Sequence, residues 1–274
     1  MTDLPSIVQK RKKTILWFSV IGAGAILPAA IILASGHTLV WRDTAKLFEP
    51  VRFLVVEALG EFHLPLWNPH EALGIPLFAQ MMHGVLHPIS VTGAFLFPQA
   101  GMDVFILIYI VLAALGNAML ARILGGSFGA AAIAGFGYGL SGYVLGMSSI
   151  VQYLSAAATA PLALIGLRMA GEGRRLGIVA VAVATSVLYF AGDPQWTIIA
   201  ILLGTSLAIE AGGIQGLKKA SLGLAVGTAL AGIQWIPTLM YLRETSRGIE
   251  LDMVERMQWS LAPWRLIEFI VVYG

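Results

Sequence analysis

The residues best suited to chemistry are concentrated between His37 and Pro88. All five histidines of the chain lie in this stretch. They are His37, His63, His70, His83 and His87, and the acids beside them are Asp43, Glu49, Glu57, Glu61 and Glu71. Imidazoles and carboxylates act as general acids and bases and as metal ligands. Because a long polar loop between hydrophobic segments is typical of a functional element, we expect this loop to carry the active site.

The rest of the chain is strongly apolar. Of its 274 residues, 58% are hydrophobic and 12% are charged, with a mean hydropathy of +0.82, whereas soluble domains carry about twice that charged fraction. Long apolar runs recur without the alternating polarity of a transmembrane barrel. The net charge of +2 is too small to indicate a nucleic-acid partner, and the absence of cysteine excludes disulfides and thiolate metal sites. The composition therefore predicts an all-α, polytopic helical membrane protein.

The apolar runs predict seven membrane-spanning helices and the beginning of an eighth. The predicted spans are 14–35, 103–124, 127–147, 150–170, 176–191, 195–211 and 219–241, and the eighth opens near Trp264. The first span is too long for a signal peptide, and we interpret it as a retained anchor. Residues 1–274 are expected to form a single transmembrane domain, the truncated N-terminal part of a longer architecture.

The distribution of Lys and Arg among the short loops predicts the orientation. With the N-terminus in the cytoplasm, basic residues concentrate at the cytoplasmic ends of the spans and acids at the opposite face. Residues 36–102, which we call the first loop, then share the outer face with 148–149, 192–194 and 242–263. Small residues four apart, Gly135, Gly139, Gly142 and Gly146 in one span and Gly223 and Gly227 in another, predict close helix packing.

The first loop itself contains helical periodicity. Apolar residues recur at helical spacing, at Val51, Leu54, Val55, Ala58, Leu59 and Phe62, and Arg52, Glu57 and Glu61 occupy the other side. Two interpretations fit this pattern: an interfacial helix with its apolar face on the membrane, or a helix buried beneath other parts of the loop. The apolar piece 86–97 is too short to cross and is expected to be re-entrant or interfacial.

Several segments of the chain resemble the YfhO-type bacterial membrane proteins, which are multispanning glycosyltransferases of the GT-C fold. They are FEPVR, LPLWNPHEALGIPLFAQMMHGVLHPISV, SGYVLG, APLALIGL, AGDPQW, QWIPTLMYLRETSRG and WSLAPWRLIEFIVVYG, in the family's order over nearly the whole chain. The segment LPLWNP is the most specific. The resemblance implies a GT-C-like fold in the bacterial cytoplasmic membrane and a polyprenyl-phosphate-linked sugar donor. It also implies transfer on the extracytoplasmic face to a lipid, polysaccharide or other cell-surface acceptor.

The family resemblance also implies a catalytic acid. Members carry an essential acid near the start of the first loop, and Asp43 matches that position, although Arg42 precedes it where a glycine is common and Glu49 follows where an aromatic residue is common. Glycosyl transfer from a lipid phosphate needs a base for the acceptor hydroxyl and cations for the leaving phosphate. Asp43 is therefore the predicted base. The alternative is a surface carboxylate paired with Arg42 or Lys46.

Other candidate substrate-binding residues lie on the same predicted face. They are Arg52, Trp67, Asn68, Asp193, Gln195, Arg243 and Arg247. An arginine there is suited to phosphate, to lipid headgroups or to a loop carboxylate. Asp193 follows a glycine in a tight turn, so capping of the next helix is its alternative role.

A metal site is a further hypothesis. His83 and His87 are four residues apart, which on a helix would place both imidazoles on one face for zinc. Mg²⁺ or Mn²⁺ bound through carboxylates fits the composition no less well, and ordinary hydrogen bonds are the alternative for both histidines.

Two other classes of function compete with a glycosyltransferase. One is a transporter or flippase of lipid-linked substrate, and the other is a non-catalytic membrane fragment. A transporter would place ionisable residues within its spans. The predicted spans hold almost none, and the acids collect at one face, which favours chemistry at the membrane surface.

Overall fold

A computed structural model describes residues 4–245, 253–257 and 262–264, and these residues form helices with no strand beyond an isolated bridge between Asn68 and Ile75. The α-helices are α1 Leu4–Ala34, α2 Glu49–Gly60, α3 Pro88–Leu96, α4 Met102–Ile123, α5 Phe128–Gly139, α6 Gly142–Gly146, α7 Val151–Gly171, α8 Gly177–Phe190, α9 Pro194–Leu230, α10 Gly232–Leu242 and α11 Met253–Met257. A π-helix covers Thr44–Phe48, and 3₁₀ turns cover Met81–His83 and Met147–Ser149.

Five helical segments are long and apolar enough to cross a membrane. They are Arg11–Ala34, Met102–Ile123, Phe128–Ser149, Val151–Gly171 and Pro194–Leu230, and Gly177–Phe190 is a shorter apolar helix. A run of about 20 apolar residues spans the hydrocarbon core because every backbone polar group is paired within the helix. The chain is therefore an all-helical membrane protein, as the composition predicted.

The longest helix, α9, changes direction at Gly212 and Gly213. Gly213 has φ +57° and ψ −144°, far from helical values. Before this point, Gly204 packs on Leu167 of α7 and Ala208 packs on Gly171. Residue 204 of α9 thus meets residue 167 of α7, and four residues later 208 meets 171. Because both numbers increase in the same direction, the first half of α9 runs parallel to α7.

The second half of α9 runs parallel to α8 instead. Gly223 packs on Ile178 and Gly227 packs on Ala182. Helices α7 and α8 are antiparallel to each other, because Gly177 meets Ala170 while Gly166 meets Ala180. The two halves of α9 therefore form an antiparallel pair. They contain the predicted spans 195–211 and 219–241, and the number of membrane crossings stays a prediction.

The helix packing that the glycine spacing predicted is observed at some of these glycines and not at others. Gly135 and Gly139 lie against Ala114 of α4, which brings the two backbones close together. Nothing lies within 4 Å of a Cβ added at Gly142 or Gly146. These two glycines do not pack because α5 ends at Gly139 and a new helix, α6, begins at Gly142. The Ser141 hydroxyl caps α6 by accepting a hydrogen bond from the Val144 N–H.

The first loop folds over one end of the helix bundle. The Asp103 carboxylate accepts hydrogen bonds from the Leu39 N–H at 2.6 Å and the Thr38 hydroxyl at 3.0 Å. The Gln234 amide donates to the Phe78 carbonyl at 2.7 Å. The predicted grouping of 148–149 and 192–194 with this loop is also observed, since Ser148 bonds to the loop and Gly192 packs on Met81.

Helix α2 confirms the buried interpretation of its apolar face and corrects the interfacial one. Its face of Val51, Val55 and Leu59 packs on other residues of the first loop, namely Leu77, Phe78, Val85 and Ala94. Two positions differ from the prediction: Arg52 is only 9% exposed, and Phe62 is 90% exposed. Phe62 does not join the buried apolar face because α2 ends at Gly60 and the chain then turns away, with a φ of +58° at Phe62.

The reversal in α9 predicts a stability effect at Gly213. Gly213→Ala adds a methyl group into open space, so its cost comes from the backbone conformation alone, about 1–3 kcal/mol. Thermal unfolding of the detergent-solubilised protein measures this loss. Gly137→Ala is the matched control: it also meets open space but is helical, and it should be neutral or stabilising by up to about 1 kcal/mol. A Gly213→Ala protein with wild-type stability would contradict the reversal.

Candidate functional site

Asp43 is held at the junction between the first loop and the bundle. It is half-buried and immediately precedes the π-helix Thr44–Phe48. On one side, the Trp41 indole N–H donates to the Ser148 hydroxyl at 3.0 Å, and on the other, the Thr44 hydroxyl donates to the Ser148 carbonyl at 2.7 Å. Because Thr44 and Ser148 are both buried, these bonds fix the backbone that carries the Asp43 carboxylate.

The backbone beside Asp43 adopts unusual conformations. Arg42 has a φ of +50°, in the left-handed region that non-glycine residues rarely adopt. Strained backbone and π-helical turns are both frequent at functional sites. The Arg42 guanidinium lies 5.6 Å from the centre of the Trp41 ring. Within the described part of the chain, neither Arg42 nor Lys46 forms an ion pair with Asp43.

Asp193 caps α9, which is the alternative role that its position suggested. Its Oδ1 accepts hydrogen bonds from the N–H groups of Gln195 at 2.8 Å and Trp196 at 3.3 Å. Burial raises the pKa of the Asp193 carboxyl, and these two bonds oppose the shift. Its buried Oδ2 has no hydrogen-bond partner among the described residues. The Gln195 side chain is exposed, so it stays available to a ligand.

Trp67 and Asn68 have different environments. Asn68 is buried and closes a turn: its backbone pairs with Ile75, and its side chain bonds the His70 N–H and the Glu71 carboxylate. Trp67 is 55% exposed and its indole lies on Gly74, where an added Cβ would come within 2.6 Å of the ring. Trp67 also borders an open cleft of about 660 Å³. Of the two, Trp67 is the residue presented to solvent.

The fold also places the predicted arginines in different environments. Arg52 points inward, where it donates to the carbonyls of Phe97 at 2.9 Å and Pro98 at 3.3 Å, with its guanidinium 4.5 Å from the centre of the Phe105 ring. Burial lowers the pKa of Arg52. Arg243 is exposed at the end of α10. Arg247 lies outside the described residues.

The two candidate metal-binding histidines do not share a helix. His83 ends a 3₁₀ turn, and Gly84 then adopts a left-handed conformation before His87 caps α3. His87 Nδ1 accepts from the Ile89 N–H and faces the Tyr109 hydroxyl at 3.1 Å, while Nε2 faces the Thr159 hydroxyl at 3.4 Å. Both ring nitrogens of His87 are thus engaged. Within the described ranges, no group of three or more imidazoles and carboxylates is placed to hold a metal.

Sequence reasoning did not identify Ser148 as part of this site. The charge pattern placed 148–149 on the same face as the first loop, but Ser148 lies more than a hundred residues from Trp41 and Thr44, and no local signal pairs it with them. Trp196 and Tyr143 were missed for the same reason: the Trp196 indole donates to the Tyr143 hydroxyl at 2.6 Å beside the Asp193 cap. Such pairings across the chain have no local signal.

A comparison of the chain with protein-family models, with curated proteins and with solved structures found no match. The family likeness therefore stays a resemblance of segments.

The two buried histidines predict that acid weakens the folded state. Burial lowers the pKa of His83 to about 4 and that of His87 to about 3, from an ordinary 6.5. Between pH 6.5 and the pKa of each histidine in the folded protein, the unfolded chain binds a proton that the folded protein does not. Each histidine then reduces the unfolding free energy by up to about 1.4 kcal/mol per pH unit. Above the ordinary pKa both states are neutral and the effect is absent.

Thermal unfolding between about pH 7.5 and 5 measures this dependence. His87→Gln should show a shallower loss of stability with acid than the wild type. His63→Gln, which changes an exposed histidine, should keep the wild-type slope. Equal slopes for His87→Gln and the wild type would contradict the assignment.

The cap at Asp193 predicts a difference between two substitutions. Asp193→Ala removes both hydrogen bonds to the first turn of α9 and should cost about 1 kcal/mol of stability. Asp193→Asn keeps an oxygen acceptor and should retain most of it. Thermal unfolding distinguishes them, with Gln195→Ala as the exposed neighbouring control. Wild-type stability in Asp193→Ala would show that the cap contributes nothing.

Proposed function

We propose that this protein is a membrane glycosyltransferase of GT-C-like architecture, with Asp43 as its general base. Its donor is a sugar linked to polyprenyl phosphate, and its acceptor is a hydroxyl of a cell-surface lipid or polysaccharide. The reaction takes place on the extracytoplasmic face of the bacterial cytoplasmic membrane. The observation that carries the proposal is the attachment of Trp41 and Thr44, which lie on either side of Asp43, to Ser148.

This attachment supports a catalytic role because a base works best when it is already in place. A carboxylate on a free loop would have to be ordered for each reaction, whereas hydrogen bonds on both sides of Asp43 order its backbone in advance. Trp41, two residues before it, is 46% exposed and its indole is held by Ser148. The site therefore combines a fixed carboxylate with an exposed aromatic ring at the end of apolar helices, where a lipid-linked sugar would arrive.

In the proposed reaction the acceptor hydroxyl oxygen attacks the anomeric carbon of the sugar. Asp43 takes the hydroxyl proton, the bond between that carbon and the phosphate oxygen breaks, and polyprenyl phosphate leaves with the bonding electrons. Arg42 is an exposed cation beside the base, suited to the leaving phosphate. Mg²⁺ or Mn²⁺ is the other means of balancing this charge. Since the described residues offer no cluster of ligands, no step is assigned to a metal.

The position of charge along the helices supports surface chemistry over transport. In the described spanning helices, charged residues lie near helix ends or near the reversal in α9. Asp103 and Arg122 are at the two ends of α4, Arg168 is in the last turn of α7, and Glu210 and Lys218 flank the reversal. A transporter is expected to place ionisable groups near the bilayer midplane.

The proposal predicts that Asp43→Asn loses activity without losing the fold. Removal of a general base typically lowers the rate by about 10²–10⁴-fold. Membranes containing the protein, incubated with a set of radiolabelled polyprenyl-phosphate sugars, should form a product with the wild type and not with Asp43→Asn. Glu57→Gln removes an exposed acid of the same loop and is the matched control, which should stay active. Near-wild-type transfer by Asp43→Asn would disprove the role of Asp43.

A further inference from the structure

A small cavity lies between α2 of the first loop and helices α4 and α7. Its volume is about 40 Å³. Most of its wall is apolar, and includes Phe48, Val51 and Phe105. The polar residues on its wall are Arg52, His83, Ser90 and Tyr109.

Arg52 has a buried nitrogen, Nε, whose N–H has no partner among the described residues. Its two terminal nitrogens donate to the carbonyls of Phe97 and Pro98, and its planar group lies over Phe105. These contacts fix the orientation of the guanidinium. Its Nε–H is buried and has no acceptor among the described residues. A buried donor without a partner is unfavourable, so Nε–H is suited to a ligand's oxygen.

His83 supplies an unused acceptor on the same cavity. Its Nε2 lies 3.2 Å from the Gln80 amide oxygen, and with that oxygen as the acceptor we assign the ring hydrogen to Nε2. Burial lowers the pKa of His83 to about 4, and the ring is therefore neutral at neutral pH. Nδ1 then has a free lone pair. It is buried, and no donor reaches it from the described residues.

We propose that this cavity binds a hydroxyl group between Arg52 Nε and His83 Nδ1. The hydroxyl oxygen accepts from the arginine N–H, and the hydroxyl hydrogen is donated to the imidazole nitrogen. An aprotic anion or a carbonyl has no hydrogen to donate to Nδ1. An ammonium group would be repelled by the Arg52 charge. Only a group that donates and accepts matches both atoms, and the proposal stands whether or not the chain is a glycosyltransferase.

The size and walls of the cavity define the molecule that carries this hydroxyl. A bound water needs about 10–15 Å³ of such space, so the cavity has room for more than one water or for a small alcohol. The apolar wall of Val51 and Phe105 favours an alkyl group beside the hydroxyl. Water and a short-chain alcohol share the same chemistry at the two nitrogens. The cavity also borders Phe48, which ends the π-helix that follows Asp43.

Nitrogen NMR of the full-length protein, labelled with ¹⁵N-histidine, tests the site directly. The Nδ1 signal of His83 is assigned by its loss in His83→Phe or in His83→Gln, and either variant is sufficient. His63→Phe, at an exposed position, is the control that must leave this signal unchanged. The two probes are ethanol and dimethyl ether. They have the same atoms, but only ethanol has a hydroxyl hydrogen.

The expected result is an unprotonated His83 Nδ1 whose chemical shift shows an accepted hydrogen bond. A saturable change with ethanol and none with dimethyl ether identifies an alcohol site. A hydrogen-bonded Nδ1 that neither probe changes identifies water as the hydroxyl. A protonated Nδ1, or an Nδ1 with the shift of a free lone pair, would overturn the proposal.

Discussion

The structure depends on the pairing of buried polar groups where the first loop meets the apolar helix bundle. A polar chain segment placed on such a surface is stable only if its buried donors and acceptors find partners. Here the partners come from the bundle: Ser148 bonds to Trp41 and Thr44, and Gln234 of α10 donates to Phe78, while at the exposed edge of the loop Asp103 of α4 accepts from Thr38 and Leu39. Each bond joins residues far apart in the chain, so together they define where the loop lies.

The same pairing explains how a loop gains the rigidity that a site needs. The buried His87 connects three helices: it caps α3, and its ring nitrogens lie within hydrogen-bond distance of Tyr109 of α4 and Thr159 of α7. Arg52 ties α2 to the end of α3 through the Phe97 carbonyl. With α2 and α3 both anchored, the segment that contains Asp43 has little freedom to move. His87 and the terminal nitrogens of Arg52 hold the loop, which leaves Arg52 Nε and the exposed Arg42 and Trp67 for a ligand.

Close helix packing depends on glycines at the helix contacts. Gly171 and Gly227 lie directly against neighbouring backbones, which the absence of a side chain allows and which gives dispersion contacts where the hydrophobic effect between helices is absent. The tight turn at Gly192, with a φ of +85°, lies against Met81 of the loop. Packing between helices therefore determines the surface on which the loop folds.

The sequence alone determined the membrane class, the position of the first loop and the apolar face of α2, because hydropathy and helical periodicity are local properties of a chain. It also singled out Asp43, through the segments that resemble a known family. It could not show that Arg52 and Asn68 turn inward, that His87 has both nitrogens engaged, or that Ser148 holds Trp41 and Thr44 on either side of Asp43. Those outcomes depend on hydrogen-bond partners from distant parts of the chain. Only the tertiary structure decides them, because a polar side chain takes the partner that burial brings within reach.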